Sequence, residues 1–123
     1  MYTPLLLSLF DFSSFRLFLC VCAQMFYCKL PPSVKDMDVL LVDPMLATGG
    51  SANMALQSLV DCGVDPSRII FLNVVSCPEG LANLQKAFPM VKVLTACVDQ
   101  GMNGDKYIVP GLGDFGDRFF NTM

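Results

Sequence analysis

The stretch that most constrains this chain runs from Val39 to Asn53: Val-Leu-Leu-Val-Asp-Pro-Met-Leu-Ala-Thr-Gly-Gly-Ser-Ala-Asn. Val39 to Val42 is an unbroken apolar run of the kind a buried strand carries. Asp43 stands at its C-terminal end, and a loop of Thr48, Gly49, Gly50 and Ser51 then opens a helix, with Ser51 as a good N-cap. Glycines let backbone N–H groups approach an anion closely, hydroxyls add donors, and a helix N-terminus carries partial positive charge. A carboxylate beside that anion can meet ribose hydroxyls or a metal ion. The combination suits a sugar phosphate better than a bare phosphate. Gly-Gly-Ser alone would say only that a turn needs positive φ; Asp43 and Thr48 give the loop its chemistry.

The residues that follow set the fold class. Ala52, Ala55, Leu56, Leu59 and Val60 recur at helical spacing as far as Cys62, with Gly63 as the stop. Ile69 to Val75 reads as a second strand, apolar on both faces as a parallel-sheet strand should be. Pro78 suits the first position of a second helix, with Glu79 beside the positive end of its dipole. That helix ends near Phe88 and Pro89, and Val91 to Thr95 forms a third strand. The order β-α-β-α-β implies an α/β fold with a parallel sheet and right-handed crossovers. Ligands of such sheets bind beyond the C-terminal strand ends, where Asp43 and the Thr48–Ser51 loop lie.

Composition narrows the function. A chain of 123 residues is at most one domain, and 54% hydrophobic with 15% charged residues is too apolar for disorder. Net charge is −3 and the pI about 4.5, so no basic surface argues for nucleic acid. A polyanionic substrate must be held by local donors, by Mg²⁺ or by a few placed cations. The chain has no His, which removes Ser-His-Asp and Cys-His catalysis and the usual catalytic zinc sites. Of the six cysteines, Cys62, Cys77 and Cys97 sit singly in apolar segments, and Cys20-Val-Cys22 with Cys28 lacks paired metal-ligand spacing. The pattern fits a reduced, cytoplasmic chain.

Residues 1–25 differ from the rest. Leu5 to Phe10 and Leu17 to Cys22 are apolar but interrupted by Asp11 and Arg16. Neither approaches the ~20 residues of a membrane-spanning helix. Val21-Cys22-Ala23 would pass as a signal cleavage site, yet no Lys or Arg precedes the apolar run. The expected organisation is an unrelated apolar segment over 1–25 and one α/β domain over 26–123, entered through the Pro-rich Lys29–Ser33.

Gly111-Leu-Gly113-Asp-Phe-Gly116 matches the G-x-G-x-x-G dinucleotide fingerprint in letters only. That fingerprint needs a following helix, a second strand and an acid about 20 residues on; only seven residues follow Gly116. The span Tyr107 to Arg118 reads instead as an irregular loop that can present N–H and C=O groups to a flat heterocycle.

Asp43-Pro-Met-Leu-Ala-Thr-Gly-Gly-Ser51 closely resembles the phosphoribosyl-pyrophosphate loop of uracil phosphoribosyltransferases. Pro44 takes the place of the second acid that many phosphoribosyltransferases carry, as it does in the uracil-specific branch. Pro110-Gly-Leu-Gly-Asp-Phe-Gly-Asp117 resembles the family's C-terminal uracil-binding signature. Pro78-Glu79-Gly80, and Thr95-Ala96 with Asp99, resemble it at intermediate points. The resemblance covers roughly Phe26 to Met123.

It implies a phosphoribosyltransferase-type, Rossmann-like parallel sheet and transfer of the phosphoribosyl group to N1 of uracil, giving UMP and pyrophosphate in pyrimidine salvage. By the same resemblance Asp43, Pro44, Met45, Leu46, Ala47, Thr48, Gly49, Gly50 and Ser51 would hold phosphoribosyl pyrophosphate. Ile108, Gly113, Asp114 and Phe115 would bind uracil, with Asp114 also reaching the phosphoribosyl substrate, and Asp43 and Asp114 as the catalytic acids. Mg²⁺ would arrive mainly on the pyrophosphate, no residue being assigned as a protein metal ligand. Some members are activated by GTP, and members pair as dimers or tetramers. Phe115 stands where many relatives have a small residue, and either crowds the base or stacks beside it.

Full-length relatives carry about as much chain again ahead of Tyr27, including sheet strands, part of the oligomer interface and the arginines that hold pyrophosphate; residues 1–25 offer only Arg16. The sheet is therefore expected to be incomplete, with apolar surface left open and a homo-oligomer or a full-length subunit as its partner. The alternative is an inactive, truncated homologue that binds nucleotide or docks on a full-length subunit.

Overall fold

The computed structural model describes residues 5–8 and 30–122. In chain order the elements are β1 (Leu5–Ser8), β2 (Val39–Leu46), α1 (Gly50–Asp61), β3 (Ile69–Ser76), α2 (Pro78–Ala87), β4 (Lys92–Val98), β5 (Gly101–Met102), β6 (Ile108–Val109) and α3 (Phe115–Phe120). Single 3₁₀ turns at Val34–Asp36 and Pro66–Arg68 lead into β2 and β3. The expectations placed on Arg16, Ala23, Cys20, Cys22 and Cys28 fall outside the described residues.

The sheet is four-stranded in the order β1-β2-β3-β4, and every pairing is parallel. The expected β-α-β-α-β run is present as β2-α1-β3-α2-β4, and Leu5–Ser8 adds a strand beside β2 in a segment read from sequence as unrelated. β2 is longer than its apolar run. It pairs with β3 from Val39↔Ile69 as far as Leu46↔Ser76, so Asp43 lies within the strand instead of at its end. The ladder skips only Pro44, which has no N–H to offer. β3 is equally long, and that is what carries β2 past the carboxylate. β4 likewise runs on from Lys92 to Val98, beyond the expected Thr95.

Both long helices cover one face. Ala52, Ala55, Leu56 and Leu59 of α1 and Leu84 of α2 share one buried cluster with Val39, Leu41, Ile69 and Phe71. Sheet alternation then sends the other residues of β3 and β4 to the opposite face. There Leu72, Val74, Leu94 and Val98 are 39–54% exposed, with Leu72 and Leu94 side by side in register. β3 is apolar on both faces, as its sequence reads, but only one face is packed within the described residues. No helix among these residues is long and apolar enough to cross a membrane.

The two faces predict different costs of truncation. Phe71→Ala, at a fully buried ring, should lower the unfolding free energy by about 3–5 kcal/mol in urea denaturation. Leu72→Ala, on the open face, should change it by no more than about 1 kcal/mol.

Candidate functional site

The loop after β2 is held by its carbonyl groups. The Cys77 N–H donates to Leu46 O at 3.1 Å and the Cys77 thiol to Ala47 O at 3.0 Å. Six residues further on, Asn83 Nδ2 donates to Thr48 O at 3.0 Å. Between them Gly80 lies so close that a Cβ there would stand 2.8 Å from Leu46 O and collide with Ala47 O. All three residues belong to α2 or its N-cap, so α2 grips three successive carbonyls of the loop.

The opposite polarity is left open at the start of α1. Gly49, not Ser51, is the N-cap of α1; its φ of 85° turns the chain into the helix, and no side chain caps the first turn. Ser51 falls inside the helix and is exposed. The Gly50 N–H has only a long contact, 3.4 Å, to Thr48 Oγ1. Among the described residues the N–H groups of Thr48, Gly49 and Ser51 donate to nothing. Such a cluster of unpaired donors at the positive end of a helix dipole is an anion cradle.

Asp43 lies at the base of this loop. Burial pushes its carboxyl up to about 6, against a lesser downward pull from the Met45 N–H, which donates to Oδ1 at 3.3 Å. No cation is among the causes of that shift. Asn73 is its register partner on β3 and shares its face. Asn73 is 3% exposed, its Nδ2 donates to Ser76 Oγ at 2.7 Å, and its Oδ1 has no partner.

The second predicted segment comes to the same end of the sheet. Ile108 is buried with Val75 and Cys77, and Met45, Ala47, Met102 and Leu112 pack against them. The end of β2 and the loop after it (Met45, Ala47) and β6 with the turn after it (Ile108, Leu112) therefore share one apolar floor. Gly113 turns at φ 77°, and the Nε of Arg118 lies 3.6 Å from where its Cβ would be. Asp114 is the N-cap of α3, its Oδ1 accepting from the Asp117 N–H at 3.0 Å. Phe115 stacks on Phe119 with ring centroids 5.7 Å apart.

The two segments singled out from sequence meet at one end of the sheet, but the second, expected as an irregular loop over Tyr107 to Arg118, contains β6 and enters helix α3 at Phe115, and what holds them was missed. The grip of Cys77, Gly80 and Asn83 carried no signal beyond a glycine in a helix's first turn, a costly residue there unless something needs the space. Arg118 is exposed on α3, with its Nε beside Gly113. Arg68 is at the far end of the sheet, paired with Asp38 at 2.9 Å. The described residues bring no three His, Cys, Asp or Glu side chains together as a metal cage.

The described residues thus form a parallel α/β sheet with unpaired backbone donors after one strand and, on the same apolar floor, a second segment rich in glycine. The family model described as "UPRTase: Uracil phosphoribosyltransferase" matches residues 20–122. The chain is 46% identical over 100 residues to "Uracil phosphoribosyltransferase 2" of Schizosaccharomyces pombe, covering 81% of this chain and 46% of that protein. It is 50% identical over 97 residues to the "Uracil phosphoribosyltransferase" of Saccharomyces cerevisiae, covering 79% and 45%. The solved structure of the AQ2163 protein from Aquifex aeolicus matches with a TM-score of 0.74 at 35% identity, covering 79% of this chain and 45% of that one. The chain thus belongs to the uracil phosphoribosyltransferase family, and spans a little under half the length of these relatives.

Asp43 makes the stability of the fold pH-dependent. Its native carboxyl holds a proton more tightly than the unfolded chain does, so its contribution is full below the ordinary 3.8 and is lost as the pH rises through about 6. The loss should approach about 3 kcal/mol by neutral pH. Urea denaturation at a series of pH values should show this decline in the native chain and a flatter profile in Asp43→Asn.

Proposed function

We propose that this chain carries the phosphoribosyl- and base-binding part of a uracil phosphoribosyltransferase. The observation that supports the reading is the shared floor of Met45, Ala47, Ile108 and Leu112, which brings the Thr48–Ser51 turn and the Ile108–Phe115 segment to one end of the sheet.

On this reading the unpaired N–H groups of Thr48 to Ser51 take the 5-phosphate and Asp43 accepts from the ribose hydroxyls. Ile108, Gly113, Asp114 and Phe115 line the base, and Arg118 adds a cation at its edge. The C1–O bond to pyrophosphate breaks, the bond from uracil N1 to C1 forms, and the N1 proton is lost. The ribose passes through an oxocarbenium-like state, so the work is positioning and charge stabilisation, without a covalent nucleophile or a histidine. Asp43 is a fit for Mg²⁺ as a single oxygen ligand, the remaining ligands coming from the pyrophosphate, whose charge the ion would neutralise. Free thiols at Cys62, Cys77 and Cys97 support a reducing, cytoplasmic setting. The open face at Leu72, Val74, Leu94 and Val98 supports a homo-oligomer.

Titration of the purified chain with phosphoribosyl pyrophosphate and Mg²⁺, followed by an assay with radiolabelled uracil, is the test. Saturable binding with formation of UMP is the expected result, and Asp43→Ala should lower transfer by about 100-fold or more. Folded protein that binds no phosphoribosyl pyrophosphate overturns the reading. Sedimentation should find the chain self-associated, with Val74→Lys and Leu94→Lys together shifting it toward monomer; a wild-type monomer overturns the oligomer.

A further inference from the structure

Asp99 follows β4 directly and joins three parts of the molecule. Its N–H donates to Ser76 O at 2.8 Å, fixing it to the end of β3. Its Oδ2 accepts from the Gly111 N–H at 2.8 Å, and its Oδ1 from the Cys97 thiol at 3.5 Å. That thiol is pushed above its ordinary value, chiefly by this hydrogen bond. Gly111 turns the second loop at φ 56°, where a Cβ would run into the Ile108 carbonyl. The bond from Gly111 to Asp99 spans twelve residues and is charge-assisted.

The frame behind Asp99 is rigid. Ser76 is fully buried, and its hydroxyl accepts from Asn73 Nδ2 at 2.7 Å and donates to Thr95 Oγ1 at 3.0 Å. Thr95 Oγ1 in turn donates to Cys97 O at 3.0 Å. On the far side of Gly111, Leu112 packs on the floor shared with Met45 and Ala47, and Gly113 to Phe115 follow. On the hairpin side of the turn, the Gln100 N–H donates to Val109 O at 3.1 Å.

We propose that Asp99 is a positioning residue for base recognition: its carboxylate holds the Gly111 N–H and so sets the height of the Gly111–Phe115 turn over the floor of the site. It touches neither substrate; it acts through the backbone that does. This rests on the base-binding role given above to Ile108 and Gly113 to Phe115.

Two variants and two readouts test it. Asp99→Ala removes the acceptor, whereas Asp99→Asn keeps an oxygen for the Gly111 N–H. In the unliganded chain, Asp99→Ala should speed hydrogen exchange of the Gly111 amide by about 10-fold or more, with Asp99→Asn close to wild type. In the transfer assay, Asp99→Ala should raise KM for uracil by about 10-fold and leave KM for phosphoribosyl pyrophosphate within about two-fold, with Asp99→Asn largely restoring the former. Unchanged Gly111 exchange in Asp99→Ala overturns the proposal. So does an equal rise in both KM values, which a general loosening of the fold would give. A folded wild-type chain that binds no phosphoribosyl pyrophosphate overturns the function proposed above instead, and Gly111 exchange then upholds or overturns the Asp99 clamp by itself.

Discussion

The close approach of α2 to the loop after β2 is the constraint on which the rest of this end of the molecule depends. Loop carbonyls are strong acceptors, and burying them unpaired is costly. Here Cys77 and Asn83 satisfy those of Leu46, Ala47 and Thr48, and Gly80 gives them room. With one polarity of the loop committed to α2, the other faces outward at the start of α1. An anion cradle results without any cationic side chain in the loop, consistent with a chain of net charge −3. Cys77 also belongs to the floor on which Ile108 sits, so the same residue fixes the first loop and supports the second.

Topology explains why one face is finished and the other is not. The β2-α1-β3 and β3-α2-β4 units place both helices in the cluster around Phe71. Sequential parallel strands joined by crossovers of one hand put all their helices on one side. A parallel sheet is stable when both faces are covered, and the relatives are about twice as long as the matched part. The apolar row of Leu72, Val74, Leu94 and Val98 is therefore a property of strand order, and no rearrangement of α1 or α2 could bury it.

Much of this was legible in the sequence. Apolar runs located three strands, and Pro78 and Gly63 marked helix boundaries where the structure has them, α1 stopping just before Gly63 turns at φ 90°. Both loops were found because their glycines and acids are unusual neighbours. The misses have physical causes. β2 ends later than its unbroken apolar run does, because pairing with β3 continues past Asp43, opposite Asn73, to Met45 and Leu46. Ser51 resembled an N-cap, but Gly49 reaches a conformation Ser cannot adopt cheaply and starts the helix earlier. Bonds such as Asn83 to Thr48 or Asp99 to Gly111 link residues far apart in sequence and leave no periodic trace.

Asp43 carries a cost to the stability of the fold. A carboxyl held near 6 by burial alone is ionised at neutral pH at a cost to the fold, since no cation offsets it. Its neighbour in register, Asn73, also keeps an unpaired buried oxygen. Two under-satisfied acceptors side by side are poor design for a structural core and good design for a site awaiting donors. On the proposed reading those donors are ribose hydroxyls, and their arrival would lower the Asp43 carboxyl toward its ordinary range. Substrate binding would then release protons when the pH lies near 6 and release few at pH 8. On that reading the cost carried by the empty protein is recovered in the complex.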